Sequence, residues 1–273
     1  EVGYTLPPQE DWTIDEFMVM ARKLRAAGEY ATSVFVQEGF GSWMYPWIFA
    51  FGGELYADGD HSQVAINSPE SREALEFLKM LADEGFAPPY PNEVDDDISV
   101  ELFTTGQIAS VMLQAGHADY WIPEQVNQGA LDEIFDWTFI EFPHVPEVAH
   151  TPVSGYQTVI NAHRSADEAR NVAVASLLNR WVDEQFQTYA TVVTSGMPTI
   201  KGFAVPGVGR SASPSYQAIA ALTAKAGLMD LGGMHPRARE VIDAATVPIQ
   251  RYFAGDITAQ EFLDTFEAEA NRL

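Results

Sequence analysis

From Phe17 to Leu24 the apolar positions Phe17, Met20, Ala21 and Leu24 follow the three-and-four spacing of a helix with one buried face. Thr13-Ile14-Asp15-Glu16 in front of them is a capping box: the Thr13 hydroxyl can accept from a free first-turn amide, and Glu16 can reach back. Gly28 supplies the stop. The same grammar recurs downstream. Ser68-Pro69-Glu70 puts proline at a first helical position, ahead of a stripe of Ala74, Leu75, Leu78, Leu81 and Ala82 that Gly85 and Pro88-Pro89 terminate. Ser165-Ala166-Asp167-Glu168 leads into Val174, Leu178, Trp181, Val182, Phe186 and Tyr189, and Thr258-Ala259-Gln260-Glu261 into Phe262, Leu263 and Phe266. Short runs between these helices, Ser33 to Val36, Ile108 to Leu113, Trp137 to Phe142 and Thr158 to Ile160, predict strands. Helices alternating with isolated strands predict an α/β protein. Two stretches rich in Pro, Gly or Ser, Phe142 to Pro146 and Gly202 to Pro214, predict crossings between structural units. They bracket a module of roughly sixty residues, too small to form a two-faced α/β lobe alone.

One stretch departs from this grammar. QEGFGSWMYPWIFAFGGELY, residues 37 to 56, holds Phe40, Trp43, Tyr45, Trp47, Phe49, Phe51 and Tyr56. Trp43, Trp47 and Phe51 fall on one helical face, Tyr45 and Phe49 on another. Rings on two faces are not expected to enter one core together, which leaves some for a ligand. A sugar offers C–H faces that stack on aromatics, and hydroxyls that need polar partners held ready. Gln37, Glu38, Phe40 and Trp43 supply that mixture ahead of the helix proper. Trp43 is expected in a cleft; Trp47, Phe49 and Phe51 are expected in the core.

Charge narrows the classes of partner. Against 15 basic residues stand 39 acidic ones, a formal net charge of -24. Such a field repels nucleic acid and anionic membrane surfaces, and predicts a heavily solvated surface suited to saline surroundings. The chain of 273 residues is 47% hydrophobic, enough for a full core, yet its longest apolar run falls far short of the ~20 residues of a membrane span. With no cysteine, a disulfide framework and thiol chemistry are excluded. Glu1 opens no signal-peptide pattern, so any targeting segment is expected to be gone already.

Catalytic motifs are scarce. The sequence has no Gly-x-Ser-x-Gly, no His-Glu-x-x-His and no phosphate loop. Gly207-Val208-Gly209-Arg210-Ser211-Ala212 has dinucleotide-type spacing but no strand before it or helix after it, and predicts a crossing loop. Asp95-Asp96-Asp97 and Asp58-Gly59-Asp60 lack the downstream glutamate of a calcium loop and predict solvated turns. The six histidines show no metal spacing. No metal or cofactor is expected. A glycosidase stays open as an alternative, because such enzymes also combine carboxylates with rings.

Six motifs in order carry a resemblance over the whole chain: "DWTIDEF", "QEGFGSW", "FAFGGELY", "NSPESREALEFLKMLADEGFAPP", "ELFTTGQIASVML" and "SADEARNVAVASLLNRWVDEQFQTYATVVTSGMPT". Together they resemble the extracellular solute-binding proteins that serve ABC importers of sugars, the family of maltose-binding protein. Departures include exchanged tryptophan and threonine in the first motif and Gln107 at the family's lysine. The resemblance implies an α/β, periplasmic-binding-protein-like two-lobed fold of type II, with discontinuous lobes, a hinge and the ligand between them. Residues 1–146 and 205–273 would form the second lobe and 147–204 part of the first. The strand-rich segment that builds most of the first lobe in the family has no counterpart here. The chain is therefore expected to be incomplete, with 147–204 either packed on an absent segment or showing a large exposed apolar face.

The resemblance also carries ligand-contact roles onto Glu38, Phe40 and Trp43. At Gly116 to Trp121 the family's stacking ring would fall on Ala118, so Tyr120 or Trp121 is expected to substitute, with His117 and Asp119 as polar contacts. A strand end followed by core aromatics is the competing reading there. Tyr156 in Ser154-Gly155-Tyr156-Gln157, and His235 and Arg237 in the loop from Gly232, complete the candidates. The implied function is capture of a sugar or oligosaccharide by hinge closure, followed by docking on ABC permease subunits, by a monomer that carries out no covalent chemistry. Its implied place is periplasmic or extracellular, with a membrane tether allowed through the missing N-terminal segment. A secreted carbohydrate-active enzyme is the runner-up, and an interaction domain without a small ligand the third class.

Overall fold

The Thr13–Glu16 box is complete in the computed structural model: Glu16 N donates to Thr13 Oγ1 over 3.3 Å, and Thr13 N to Glu16 Oε2 over 3.1 Å. It starts α1 (Ile14–Ala26), which buries Phe17, Met18, Met20, Ala21 and Leu24 and stops before Gly28, whose φ of 87° suits a residue without a side chain. The structure describes residues 5, 12–36, 40–57, 60–112, 127, 129, 137–148, 152–153, 168–193, 196–199, 202–223, 227–228, 235 and 237–273. The described helices continue with α2 (Phe40–Ala50), α3 (Pro69–Asp83), α4 (Asp96–Thr104), α5 (Glu168–Trp181), α6 (Glu184–Val193), α7 (Pro214–Thr223), α8 (Ala238–Ala254) and α9 (Ala259–Ala270). Antiparallel strands β1 (Tyr56–Ala57) and β2 (Asp60–Val64) pair Tyr56 with Val64, while β3 (Pro152–Val153) runs parallel to β4 (Gly227–Leu228). The chain divides into two compact units.

The first unit comprises Glu1–Met112, Ile140–Ser154 and Lys225–Leu273. Its core joins α1, α2, α3, α8 and α9 in one apolar cluster. The Ser68 and Thr258 caps form as the sequence predicts, and Phe262, Leu263 and Phe266 behind the latter are wholly buried. Asn271, at the C-cap of α9, clamps β2 by exchanging two hydrogen bonds of 2.8 Å with the Val64 backbone. The proline-rich segment before Pro146 is stitched to the start of α1 and the end of α2. Ile14 N donates to His144 O over 3.0 Å, His144 N to Trp12 O over 3.2 Å, and Val145 N to Ala50 O over 3.0 Å.

The second unit comprises Leu113–Phe139 and Gly155–Ala224. Its described helices are α5, α6 and α7, of which α6 and α7 pack on a short 3-10 turn at Gly209–Ala212. The side chain of Gln187 in α6 ties the end of α5 to the chain at Thr199, donating to Trp181 O and accepting from Thr199 N, each over 2.7 Å. Tyr216 is buried and donates to Gly196 O over 3.2 Å. The Gly207–Gly209 stretch is loop running into the 3-10 turn, with no strand before it among the described residues; contrary to the sequence reading, a helix does follow, α7 from Pro214.

Three sequence expectations need correction. Ser33–Val36, the described part of Ile108–Leu113 and Trp137–Phe142 are not ladder strands; Tyr30 and Ile108 form only an isolated parallel bridge. Their backbone bonds go instead to single neighbouring loops, as when Val36 N donates to Pro91 O over 3.1 Å. The stripe from Val174 to Tyr189 is a pair of helices, as the resemblance implies, broken where the Asp183 carboxylate takes the Phe186 amide over 2.8 Å and caps α6. Asp95-Asp96-Asp97 is a helix start rather than a turn, with Asp95 accepting from Ile98 N over 2.8 Å and two further carboxylates in the first turn of α4. Tyr45 and Trp47 in α2 and Phe51 just after it lie within one core and Phe49 packs against it, although spacing puts these rings on two faces; Trp43 stays outside that core. The Ser165 to Asp167 part of its capping box, and Thr158–Ile160, lie outside the described residues.

Candidate functional site

Trp43 is the described ring of α2 that belongs neither to the core cluster nor to the half-buried rim packed on it. It is half-buried, and its indole rests on buried Phe35, with ring centroids 4.2 Å apart and planes tilted by 58°. Four residues on, one helical turn further, Trp47 sits at 7% exposure amid Phe17, Phe77 and Phe142, the last at 4.6 Å. The split expected between Trp43 and Trp47 is thus present in burial. It follows from position: Trp43 lies in the first turn of α2, where the helix leaves the core, and Trp47 lies where α2 meets α1 and α3.

What holds α2 in place is partly polar. The Tyr45 hydroxyl, deep in the core, accepts from Leu55 N and so ties α2 to the chain entering β1. Gly53 packs so closely that a Cβ there would stand 2.5 Å from Ser71 Oγ and 2.6 Å from Ile48 Cγ2. Both neighbours are fully buried and have nowhere to move. The Gly52-Gly53 turn is therefore a packing requirement between α2 and α3.

The remaining candidates separate into two groups. Glu38, His117, Asp119, Tyr120, Trp121 and Tyr156 lie outside the described residues, and of Phe40 only the helical backbone is described. His235 and Arg237 belong to the first unit and both have partners. His235 stacks on Tyr56 in parallel, centroids 6.0 Å apart, and its Nδ1 accepts from Arg237 N over 2.9 Å. That bond leaves Nε2 to carry the proton of the neutral ring. The Arg237 guanidinium donates to Glu240 Oε1 over 3.2 Å and to Leu273 O over 3.0 Å. Glu240's own backbone amide, and then Arg237, hold its carboxyl below the ordinary carboxylate range. Here Arg237 serves the start of α8.

Two features escaped sequence reasoning. Phe35, backing Trp43, read as a strand residue, and only tertiary contact brings the two rings together. Buried Glu141 and half-buried His144 form a pair, Oε1 to Nε2 at 3.6 Å, with His144 Nδ1 donating to Val145 O over 2.9 Å. The other oxygen, Glu141 Oε2, and the Trp12 indole N–H have no protein partner, although both are buried. A three-residue spacing of Glu and His was the signal in the sequence, but on an irregular segment it carries no helical meaning. Among the described residues no cluster of His, Asp and Glu is arranged to hold a metal ion.

Comparison with known proteins bears on this geometry. The profile of a family described as bacterial extracellular solute-binding protein matches residues 1–179. No curated protein sequence matches significantly. Among solved structures, a chitin oligosaccharide binding protein superposes with a TM-score of 0.74 at 18% identity, covering 100% of this chain and 67% of its own. Maltose-bound MalE3 of T. maritima gives 0.71 at 17% identity, covering 99% and 66%. The cyclic alpha-maltosyl-1,6-maltose binding protein of Arthrobacter globiformis gives 0.71 at 20%, covering 98% and 64%. At these identities the likeness establishes the fold, an α/β fold of the periplasmic-binding-protein type, and this chain spans about two thirds of each neighbour's length.

Proposed function

Because the chain belongs to the bacterial extracellular solute-binding protein family, we propose that it is the substrate-binding component of an ABC importer and that its ligand is a sugar or oligosaccharide. The observation that carries the ligand class is Trp43, a half-open indole backed by a buried ring on a helix whose other described aromatics lie in or against the core. A sugar's C–H face stacks on such a surface, and a rigid backing ring keeps the indole oriented before the ligand arrives. The three solved neighbours, whose names declare a chitin oligosaccharide, maltose and a cyclic maltosyl-maltose as ligands, support the same class.

On this reading residues 1–146 and 205–273 form one lobe and 147–204 part of the other, and Glu38, Phe40 and Trp43 meet the ligand. His117, Asp119, Tyr120, Trp121, Tyr156, His235 and Arg237 are further contacts, the last two after exchanging their present partners. The protein works by binding alone, as a monomer outside the cytoplasm, tethered or free, and delivers its ligand to permease subunits when the hinge closes. The test is a thermal-shift panel of maltose, chitin oligosaccharides and cyclic maltosyl-maltose, run beside a hydrolysis assay on the same sugars. A ligand that raises the melting temperature without being cleaved is expected. Cleavage would assign the protein to the glycosidases, and a flat panel would remove the sugar reading.

A further inference from the structure

Three of the chain's 15 basic residues stand within four positions, Arg22-Lys23-Leu24-Arg25, in a protein of formal net charge -24. The negative end of the α1 dipole favours Lys23 and Arg25 in the last turn, but that effect does not reach back to Arg22. Arg22, Arg25 and Ala26 share one helical face at i, i+3 and i+4, and with Phe86 they line an open groove of about 330 Å³. The Phe86 ring is buried, and the Arg25 guanidinium lies over it, 5.0 Å from the centroid. A guanidinium held over a ring by its charge spends no hydrogen bond there, so its N–H donors stay available. Both arginines are exposed, and among the described residues neither belongs to an ion pair. Arg72, Lys79, Arg237 and Arg239, by contrast, are each paired with a carboxylate three or four residues further on.

Two guanidinia with donors to spare, side by side on one face, suit oxyanions, because each can grip a carboxylate through two parallel N–H bonds. A groove with these four lining residues is too open to bury a free ligand, so the anion belongs to a larger body. An anionic membrane is disfavoured, because an extended surface meets the whole charge of -24, and a second copy brings the same charge with it. A short acidic segment meets the local patch alone: at physiological ionic strength, screening over ~8 Å mutes the remote acids while contact pairs persist. We propose that the groove beside the end of α1 docks an acidic segment of a partner protein, with two Asp or Glu side chains taken by Arg22 and Arg25. The proposal is independent of what the protein binds at Trp43.

Fluorescence anisotropy with a labelled hexaglutamate peptide, at about 0.15 M salt, tests it. The protein is expected to bind the peptide saturably. Arg22→Gln, which leaves the Arg25–Phe86 contact in place, and Arg25→Gln should each weaken binding about fivefold. Arg25→Lys should weaken it about threefold although it keeps the charge, because an ammonium has no fork. Arg239→Gln, at an exposed position of α8, changes the net charge as much as Arg22→Gln does and should leave binding unaltered. Sedimentation with phosphatidylglycerol vesicles is expected to leave the protein in solution. No saturable binding, full binding by Arg22→Gln or Arg25→Lys, an equal loss in Arg239→Gln, or protein pelleted with the vesicles would each overturn the proposal.

Discussion

At the scale of single residues, side chains of one chemical type have been given opposite tasks by their surroundings. Trp43 and Trp47 are one helical turn apart, yet one is half-open on Phe35 and the other is sealed among Phe17, Phe77 and Phe142. Replacing Trp47 by alanine removes a core ring and should destabilise the fold by about 3–5 kcal/mol, read from denaturant or thermal melts. Tyr252 makes a second residue-scale prediction. It is buried between Phe253 and Phe262, and burial first, then the charges of Glu76 and Asp83, push its hydroxyl pKa well up. A raised folded-state value means that the neutral form is favoured. Its contribution to stability is whole below about pH 10, the ordinary tyrosine range, and is lost as pH rises from there toward the folded value. Melting temperature should therefore fall as pH is raised above about 10, and Tyr252→Phe should flatten that fall; an unchanged slope would show that other groups govern it.

At the scale of elements, close packing sets the tolerances. Gly53→Ala forces a methyl into the space of Ser71 and Ile48 without any demand for a left-handed backbone, and overpacking of this kind costs about 1–3 kcal/mol. Urea melts of that variant should show the loss, whereas Gly28→Ala should suffer from its positive φ alone, since nothing lies within 4 Å of its Cβ position. Helices were the legible part of this fold. Thr13, Ser68 and Thr258 announce their helices because a cap is a local device, satisfied within one turn. The strands were misjudged because a strand exists only through its partner, and Ser33–Val36 bonds to a loop near Pro91 instead. Asp95 was read as a turn for a related reason: a cluster of carboxylates looks the same before a helix as in a solvated loop, and only the Ile98 amide decides. At the candidate site, the core role of Trp47 could be read from the usual burial of large apolar side chains, but not from spacing, which puts it on one face with Trp43. The support of Trp43 by Phe35 could not, because it joins an extended segment to a helix through side chains alone.

At the scale of the whole molecule, charge matters most. With a formal net charge of -24, self-repulsion opposes the compact state, and salt that shortens screening to ~8 Å should relieve it. Melting temperature is expected to rise on adding moderate sodium chloride, and a flat or falling response would mean that the charges are already dispersed. The rings of α5 and α6 stay exposed, whereas the first unit has a well-filled core. The central claim remains that this protein holds a sugar against Trp43. Calorimetric titration of the panel sugar giving the largest thermal shift, into wild-type protein and Trp43→Ala, tests it most directly. Loss of a stacking ring should remove about 2 kcal/mol or more. At ~1.4 kcal/mol per tenfold, affinity should fall by tens-fold while the melting temperature without ligand changes little. Unchanged affinity in a variant as unstable as Trp47→Ala would contradict the claim and make Trp43 a core residue.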